Sequence, residues 1–277
     1  MDDVRLLLID RIQPFEGHPY RVEDNEDMMM LSRSIKAQGV ISPILVRPLA
    51  NGRYELISGH RRLRASQLAG LSVIPAFVRE MDRDSAVIAL VDSNYHREHL
   101  LPSEKAFAYK MKLEAIKHQG KHLEHADRSS ADLVSADDNG RQVQRIIHLT
   151  YLVPELLRLV DESIVAFTPA VNLSYLTDEE QYWVLDEMIK SDCSPSVSQS
   201  MTLKKKSIEE TLSREFVTEL LHQEKANQRE VLRIPLNRLQ NSIPSTYTPK
   251  QAEEYIVKAC EFYRKHLQKQ QKKGECL

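Results

Sequence analysis

The apolar pattern of this chain changes character near residue 100, and that change constrains the fold more than any other feature. Before it, runs of strand length recur: VRLLLI (4–9), ILVRP (44–48), YELI (54–57) and VIPAFV (73–78). They are rich in β-branched and aliphatic residues, as strands require. Between the first two, Met28, Leu31 and Ile35 keep helical spacing, and Gly39 sits where a helix-ending glycine belongs. A second helix is predicted to follow Gly59 and stop near Gly70. After residue 100 the 3.6-residue period takes over. Pro102 with Glu104 opens a helix, Ala106, Tyr109, Leu113 and Ile116 form its stripe, and Gly120 closes it. Residues 119–130 read as a polar loop, and 131–136, 141–149 and 154–161 as three short helices. Thr177 and Glu180 form a capping box for a helix to about Lys190. The pattern predicts an α+β protein: a small α/β domain over 1–100, an all-helical domain over 101–193, and a mostly helical module over 201–277.

SDCSPSVSQS (191–200) is the linker predicted by composition between the last two. Beyond it, Ser207 and Glu210 form a second capping box before Leu212, Phe216, Leu220 and Leu221, and VLRIPL (231–236) suits a short strand. The strongest helical stripe follows Thr248-Pro249: Ala252, Tyr255, Ile256, Ala259, Tyr263 and Leu267. It serves either as a packing face within one chain or as the seam of a homodimer. Eight glycines in 277 residues disfavour an all-β fold. No apolar run reaches the roughly 20 residues of a membrane helix, and the acidic start does not read as a secretory signal. Cys193, Cys260 and Cys276 lie far apart without a Cys-x-x-Cys, which suits a reducing cytoplasm and supplies no zinc site. The net charge is −2, yet residues 195–277 carry +5 and residues 101–194 carry −6. A histone-like coat of positive charge is excluded, while contact with nucleic acid through a local patch is not.

Two constellations carry chemistry. In SGHRRLRAS (58–66) a strand ends at a glycine and a helix opens with paired arginines. Gly59 lets backbone approach a ligand, free N–H groups of the helix start attract anions, and Arg61 and Arg62 supply planar forks that match phosphate oxygens. A solvated basic helix face produces the same pattern, and both readings stand at this point. The polar cluster DSNYHRE (92–98) offers Asn94, His96 and Arg97, either to a metal-bound phosphate or as caps of the next helix. The second constellation is ADLVSADDNGRQVQRIIHLT (131–150), which reads as helix, turn, helix. Val143, Ile146 and Ile147 face one way; Arg141, Gln142, Gln144, Arg145 and His148 face the other. That division suits a recognition helix, with Arg matched to guanine and Gln to adenine in the major groove. Many amphipathic helices share it.

Taken together and in order, several segments resemble the ParB family of chromosome and plasmid partition proteins. IQPFEGHPYRV (12–22) resembles the family's opening strand and loop, and SIKAQGVISPILVRP (34–48) its base-facing stretch. SGHRRLRAS resembles its Gly-Glu-Arg-Arg phosphate motif, and NYHREHLLPSEKAFAY (94–109) its Asn-x-x-Arg-x-x-Leu-x-Pro-x-Glu segment. GRQVQRIIHLTYLVPELLRLVDES (140–163) resembles the family's helix-turn-helix and the helix beyond. The C-terminal region looks more like plasmid and integrative-element versions than chromosomal ones. The resemblance implies a ParB/sulfiredoxin-like N-terminal domain, a helix-turn-helix domain and a C-terminal dimerisation module. It further implies a clamp on a palindromic site of double-stranded DNA, CTP with Mg2+ as a switch, a ParA-type ATPase as partner, and a cytoplasmic, DNA-associated location.

Carried over by that resemblance, Gly59, His60, Arg61 and Arg62 hold the nucleotide. Asn94 and Arg97 face its phosphates, with Asn94 toward Mg2+. Arg141, Gln142, Gln144, Arg145 and His148 lie at the DNA. The motif's usual glutamate is His60 here, and the usual acid before the asparagine is Ser93, with Asp92 one position earlier. Weak CTP hydrolysis is the most this site then implies, and no catalytic residue is assigned. Two alternatives use the same scaffold: a transcriptional repressor, and a small-molecule kinase built on the N-terminal fold. Sulfiredoxin chemistry is excluded because no cysteine precedes Cys193.

Overall fold

The computed structural model describes residues 4–95, 100–119, 130–135, 137–222, 243–244 and 248–274. Contacts divide the chain into a unit of residues 1–223 and one of residues 224–277.

The first unit begins with five strands: β1 (Val4–Leu8), β2 (Ile12–Gln13), β3 (Ile44–Pro48), β4 (Tyr54–Ser58) and β5 (Val73–Val78). They form one mixed sheet in the order β1-β5-β3-β4-β2. β1 runs antiparallel to β5, β3 parallel to β5 and antiparallel to β4, and β2 parallel to β4. The four strands predicted in the first hundred residues are all present. Ile44, Val46, Leu56 and Ile74 are fully buried between the sheet and its helices. α1 (Glu26–Gln38) starts at Asn25, whose side chain accepts the Met28 N–H, and ends at Gly39 with φ 76°. α2 (His60–Leu68) follows β4 directly.

α3 (Arg83–Asn94) carries the apolar run 86–91 and buries Ala86, Val87, Leu90 and Val91. Phe15 and Tyr20 join these residues in one cluster, which pins loop 14–22 against α3. Glu55, itself ion-paired to Arg47, accepts the Glu16 N–H and ties the same loop to the sheet.

From α4 (Pro102–His118) onward the unit is helical. α5 (Gly140–His148), α6 (Pro154–Asp161), α7 (Phe167–Leu173), α8 (Asp178–Ser191), α9 (Val197–Ile208) and α10 (Arg214–His222) share one core with α4. Leu149, Leu156, Leu173 and Leu203 are fully buried within it. At its centre Gln181 is fully buried and completely paired. Its amide donates to the Tyr151 and Leu176 carbonyls and its oxygen accepts the Val153 N–H.

Four readings of the sequence need adjustment. The described residues of the predicted helix 131–136 give only a 3-10 turn, Ser130–Leu133. The segment 191–200 is a short connection, because Ser196 caps α9 through a capping box with Gln199. Ser207 lies in the last turn of α9 and donates to Glu180, so it caps nothing; Ser213 accepts the Phe216 N–H near the start of α10 instead. Leu203, Val217, Leu220 and Leu221 lie in the same core as α4–α8, so the contacts divide at 223/224 rather than near 195. The predicted strand 231–236 lies outside the described residues.

The second unit contains α11 (Pro249–Gly274), 26 residues long. Its Tyr255, Val257, Phe262 and Tyr263 are exposed. Among the described residues no helix is long and apolar enough to cross a membrane.

Candidate nucleotide cleft and nucleic-acid interface

β4 delivers the chain to Gly59, which takes φ 100° and ψ 28°. L-residues with a side chain avoid this left-handed region. A Cβ there would also meet Ile44 Cγ2 at 2.7 Å and the Arg62 guanidinium at 3.1 Å. The glycine is therefore required twice, by conformation and by space. No side chain caps α2, so its first N–H groups stay open to an anion.

These groups border a cleft of about 510 Å³ lined by His18, Tyr20, Arg21, Ser58, Gly59, His60, Arg61, Arg62, Ser93 and Asn94. Arg61 is exposed and makes no hydrogen bond or ion pair among the described residues. Arg62 is half-buried and already engaged. Its Nη1 donates to the Ser42 carbonyl and hydroxyl and to the Pro43 carbonyl, holding the approach to β3. Burial lowers its pKa below the usual guanidinium value.

His60 stacks on His18 with ring centroids 3.6 Å apart. Burial first, and the neighbouring His18 second, push its pKa down to about 3, so it is neutral at physiological pH. Its Nε2 is buried without a partner. Asn94 closes the far side from the end of α3. Its amide donates to the Leu90 carbonyl and to Ser93 Oγ, which leaves its oxygen available. Arg97 lies outside the described residues, as does His96.

The cleft fits an anion better than a metal. No carboxylate lines it among the described residues. Asp92 binds Lys112 of α4 at 2.5 Å and borders a different cavity. Among the described residues the cleft supplies no carboxylate of the kind that, with phosphate oxygens and water, holds magnesium. Sequence reasoning missed His18, Tyr20 and Arg21. The signal was there in HPYR, but only the folding of loop 14–22 onto α3 brings it to Gly59.

The second site centres on α5. Asn139 accepts the Gln142 N–H, the Asp132 carboxylate accepts the Gly140 N–H at 2.6 Å, and Asp138 binds Lys105 and Tyr109 of α4. Val143, Ile146 and Ile147 are buried on the back of the helix. Arg141 and Gln144 are exposed on its front. Gln142, Arg145 and His148 are half-buried. Arg145 donates to Gln142 and to Thr168 of α7 and lies over the Phe167 ring at 5.1 Å. His148 stacks on Tyr175 at 4.4 Å, with Lys204 over the same tyrosine ring at 3.3 Å. Burial lowers the His148 pKa, and Lys204 lowers it further.

Fold and clefts together define a class: a small mixed α/β domain with a cationic cleft, continuous with a helical module that presents one capped amphipathic helix. Comparison with known proteins agrees. A family model described as the ParB N-terminal domain matches residues 1–95. The chain is 33% identical over 187 residues to the probable chromosome 1-partitioning protein ParB of Deinococcus radiodurans, covering 67% of this chain and 60% of that one. C-terminally truncated ParB of Caulobacter crescentus complexed to the centromeric parS site is 25% identical, with a TM-score of 0.44 over 73% of this chain and 99% of that one. The same protein complexed with CTP-gamma-S is also 25% identical, with a TM-score of 0.33 over 73% and 98%. The chain belongs to the ParB family. It spans between 37% and 66% of the length of the curated relatives it matches.

Proposed function

We propose that this chain is a sequence-specific DNA-binding partition protein whose N-terminal cleft binds CTP as a switch on a DNA clamp. One observation carries the nucleotide half of this reading. The uncapped start of α2 and the unengaged Arg61 face one cleft that no described carboxylate lines. A triphosphate satisfies the open N–H groups and the free guanidinium at once. The neutral imidazole of His60 offers a further hydrogen bond without a second charge. Absence of a carboxylate among the described lining residues favours binding over hydrolysis.

The DNA half rests on Arg141 and Gln144, which project from α5 while the helix is anchored behind. α11 supplies the homodimer contact of this proposal: its exposed aromatic stripe suits a second copy, and two-fold symmetry matches a palindromic site. A ParA-type ATPase and a location on DNA in the cytoplasm complete the reading. Titration with each of the four ribonucleoside triphosphates, with and without duplex carrying a candidate site, tests it. Selective CTP binding is the expected result. Equal indifference to all four overturns the switch and leaves a DNA binder.

A further inference from the structure

We infer that Arg21 is shared between the nucleotide cleft and the helical module, so that a bound triphosphate and Asp161 compete for one guanidinium. This rests on the reading of the cleft as a nucleotide site.

Arg21 lines the cleft beside Tyr20 and His60. Its side chain is 55% exposed and so free to swing. In the structure it donates to Asp161 Oδ2 of α6 at 3.3 Å. Its backbone is held independently, because the Arg21 N–H donates to Glu104 Oε1 at 2.7 Å. The base of the side chain is therefore fixed while the head has two destinations.

Asp161 sits differently. Its side chain is 5% exposed, and it accepts the Ser103 N–H at 2.9 Å and the Ser103 hydroxyl at 2.6 Å at the first turn of α4. Arg21 is its one cationic partner among the described residues. When Arg21 leaves, the carboxylate keeps its two Ser103 hydrogen bonds and the N-terminal end of α4, which support a negative charge. The junction loosens without leaving an orphaned ion. A triphosphate brings several negative charges to the cleft and outbids a single ion pair that is open to solvent on its Arg21 side. The cost of detaching Arg21 from Asp161 is then subtracted from nucleotide affinity. By reciprocity, nucleotide binding releases loop 14–22 from α6, a helix packed in the same core as α5.

A double-mutant cycle with the full chain tests this, with CTP affinity measured by calorimetry. Asp161→Asn leaves the Ser103 contacts a partner but removes the rival charge. It is expected to tighten CTP binding by about threefold to tenfold. In the Arg21→Ala background, which itself weakens CTP binding, the same substitution is expected to change nothing. Unchanged or weaker binding by Asp161→Asn, or equal tightening in both backgrounds, overturns the competition while leaving the nucleotide site intact. Failure of the wild-type chain to bind CTP at all overturns the nucleotide reading and this inference with it. Melting curves of the four proteins separate a folding defect from a change in affinity, and Arg21→Lys, which keeps the charge, is expected to retain part of the Asp161→Asn effect.

Discussion

The starts of α2 and α5 both carry arginine in their first turn, and they are finished in opposite ways. α2 begins at a left-handed glycine with no side-chain cap. α5 begins at Asn139, which takes the Gln142 N–H, while Asp132 takes the Gly140 N–H. The first start keeps its backbone donors for a ligand. The second has closed them with its own side chains, so α5 can address a partner only through what projects from its face. On the proposed function, the comparison separates anion capture by backbone from base readout by side chains.

The sharpest way to break the contrast is Gly59→Val. It places a branched side chain at φ 100° and against Ile44, and is expected to cost about 3–5 kcal/mol of unfolding free energy in urea. A cost near zero would mean that the glycine cap is not what shapes the cleft. Next, Arg141→Ala and Gln144→Ala should each lower site-specific DNA affinity by about 1–3 kcal/mol without moving the melting temperature. Arg145→Ala should lower stability as well, since Arg145 braces α7. Equal loss on random duplex would reduce Arg141 and Gln144 to phosphate contacts.

A pH effect comes third. His60 titrates near 3 when folded and near 6.5 when unfolded. The unfolded chain therefore binds the extra proton between those values. Stability is full above pH 6.5 and falls as pH drops toward 3, by about 1–2 kcal/mol between pH 7.5 and pH 5. His148 is shifted in the same direction, so the measurement is the difference between wild type and His60→Leu, whose profile should be flatter. The smallest effect is Asn139→Ala, which reopens the start of α5 and should cost about 1 kcal/mol, read by thermal unfolding.

The strands, α1 and the first turn of α4 were legible because each is set by local chemistry: aliphatic runs, a helical stripe closed by a glycine, a proline at the first helical position. The glycine-led start of α2 was legible for the same reason. Gly59 could be assigned from its neighbours alone. What stayed hidden depends on distant partners. Arg21 enters the cleft through the burial of Phe15 and Tyr20 against α3, which no local pattern encodes. Arg62 and Arg145 look identical to Arg61 and Arg141 in sequence, yet each is spent on a contact more than 15 residues away, with Pro43 and Thr168 respectively. The misplaced break near 195 has a similar origin. Serine-rich sequence signals a linker and a helix cap equally well, and Leu203 decides between them only by where it packs.

The buried carboxamide of Gln181 has a mechanical consequence. It rivets the segment just past α5 to the start of α8 through two hydrogen bonds, to the Tyr151 carbonyl and from the Val153 N–H, so that α5 is tied to the bundle behind it. On the proposed function, any reorientation on DNA would carry the whole bundle as one lever arm, and adjustment at the base edges would fall to the side chains of Arg141 and Gln144.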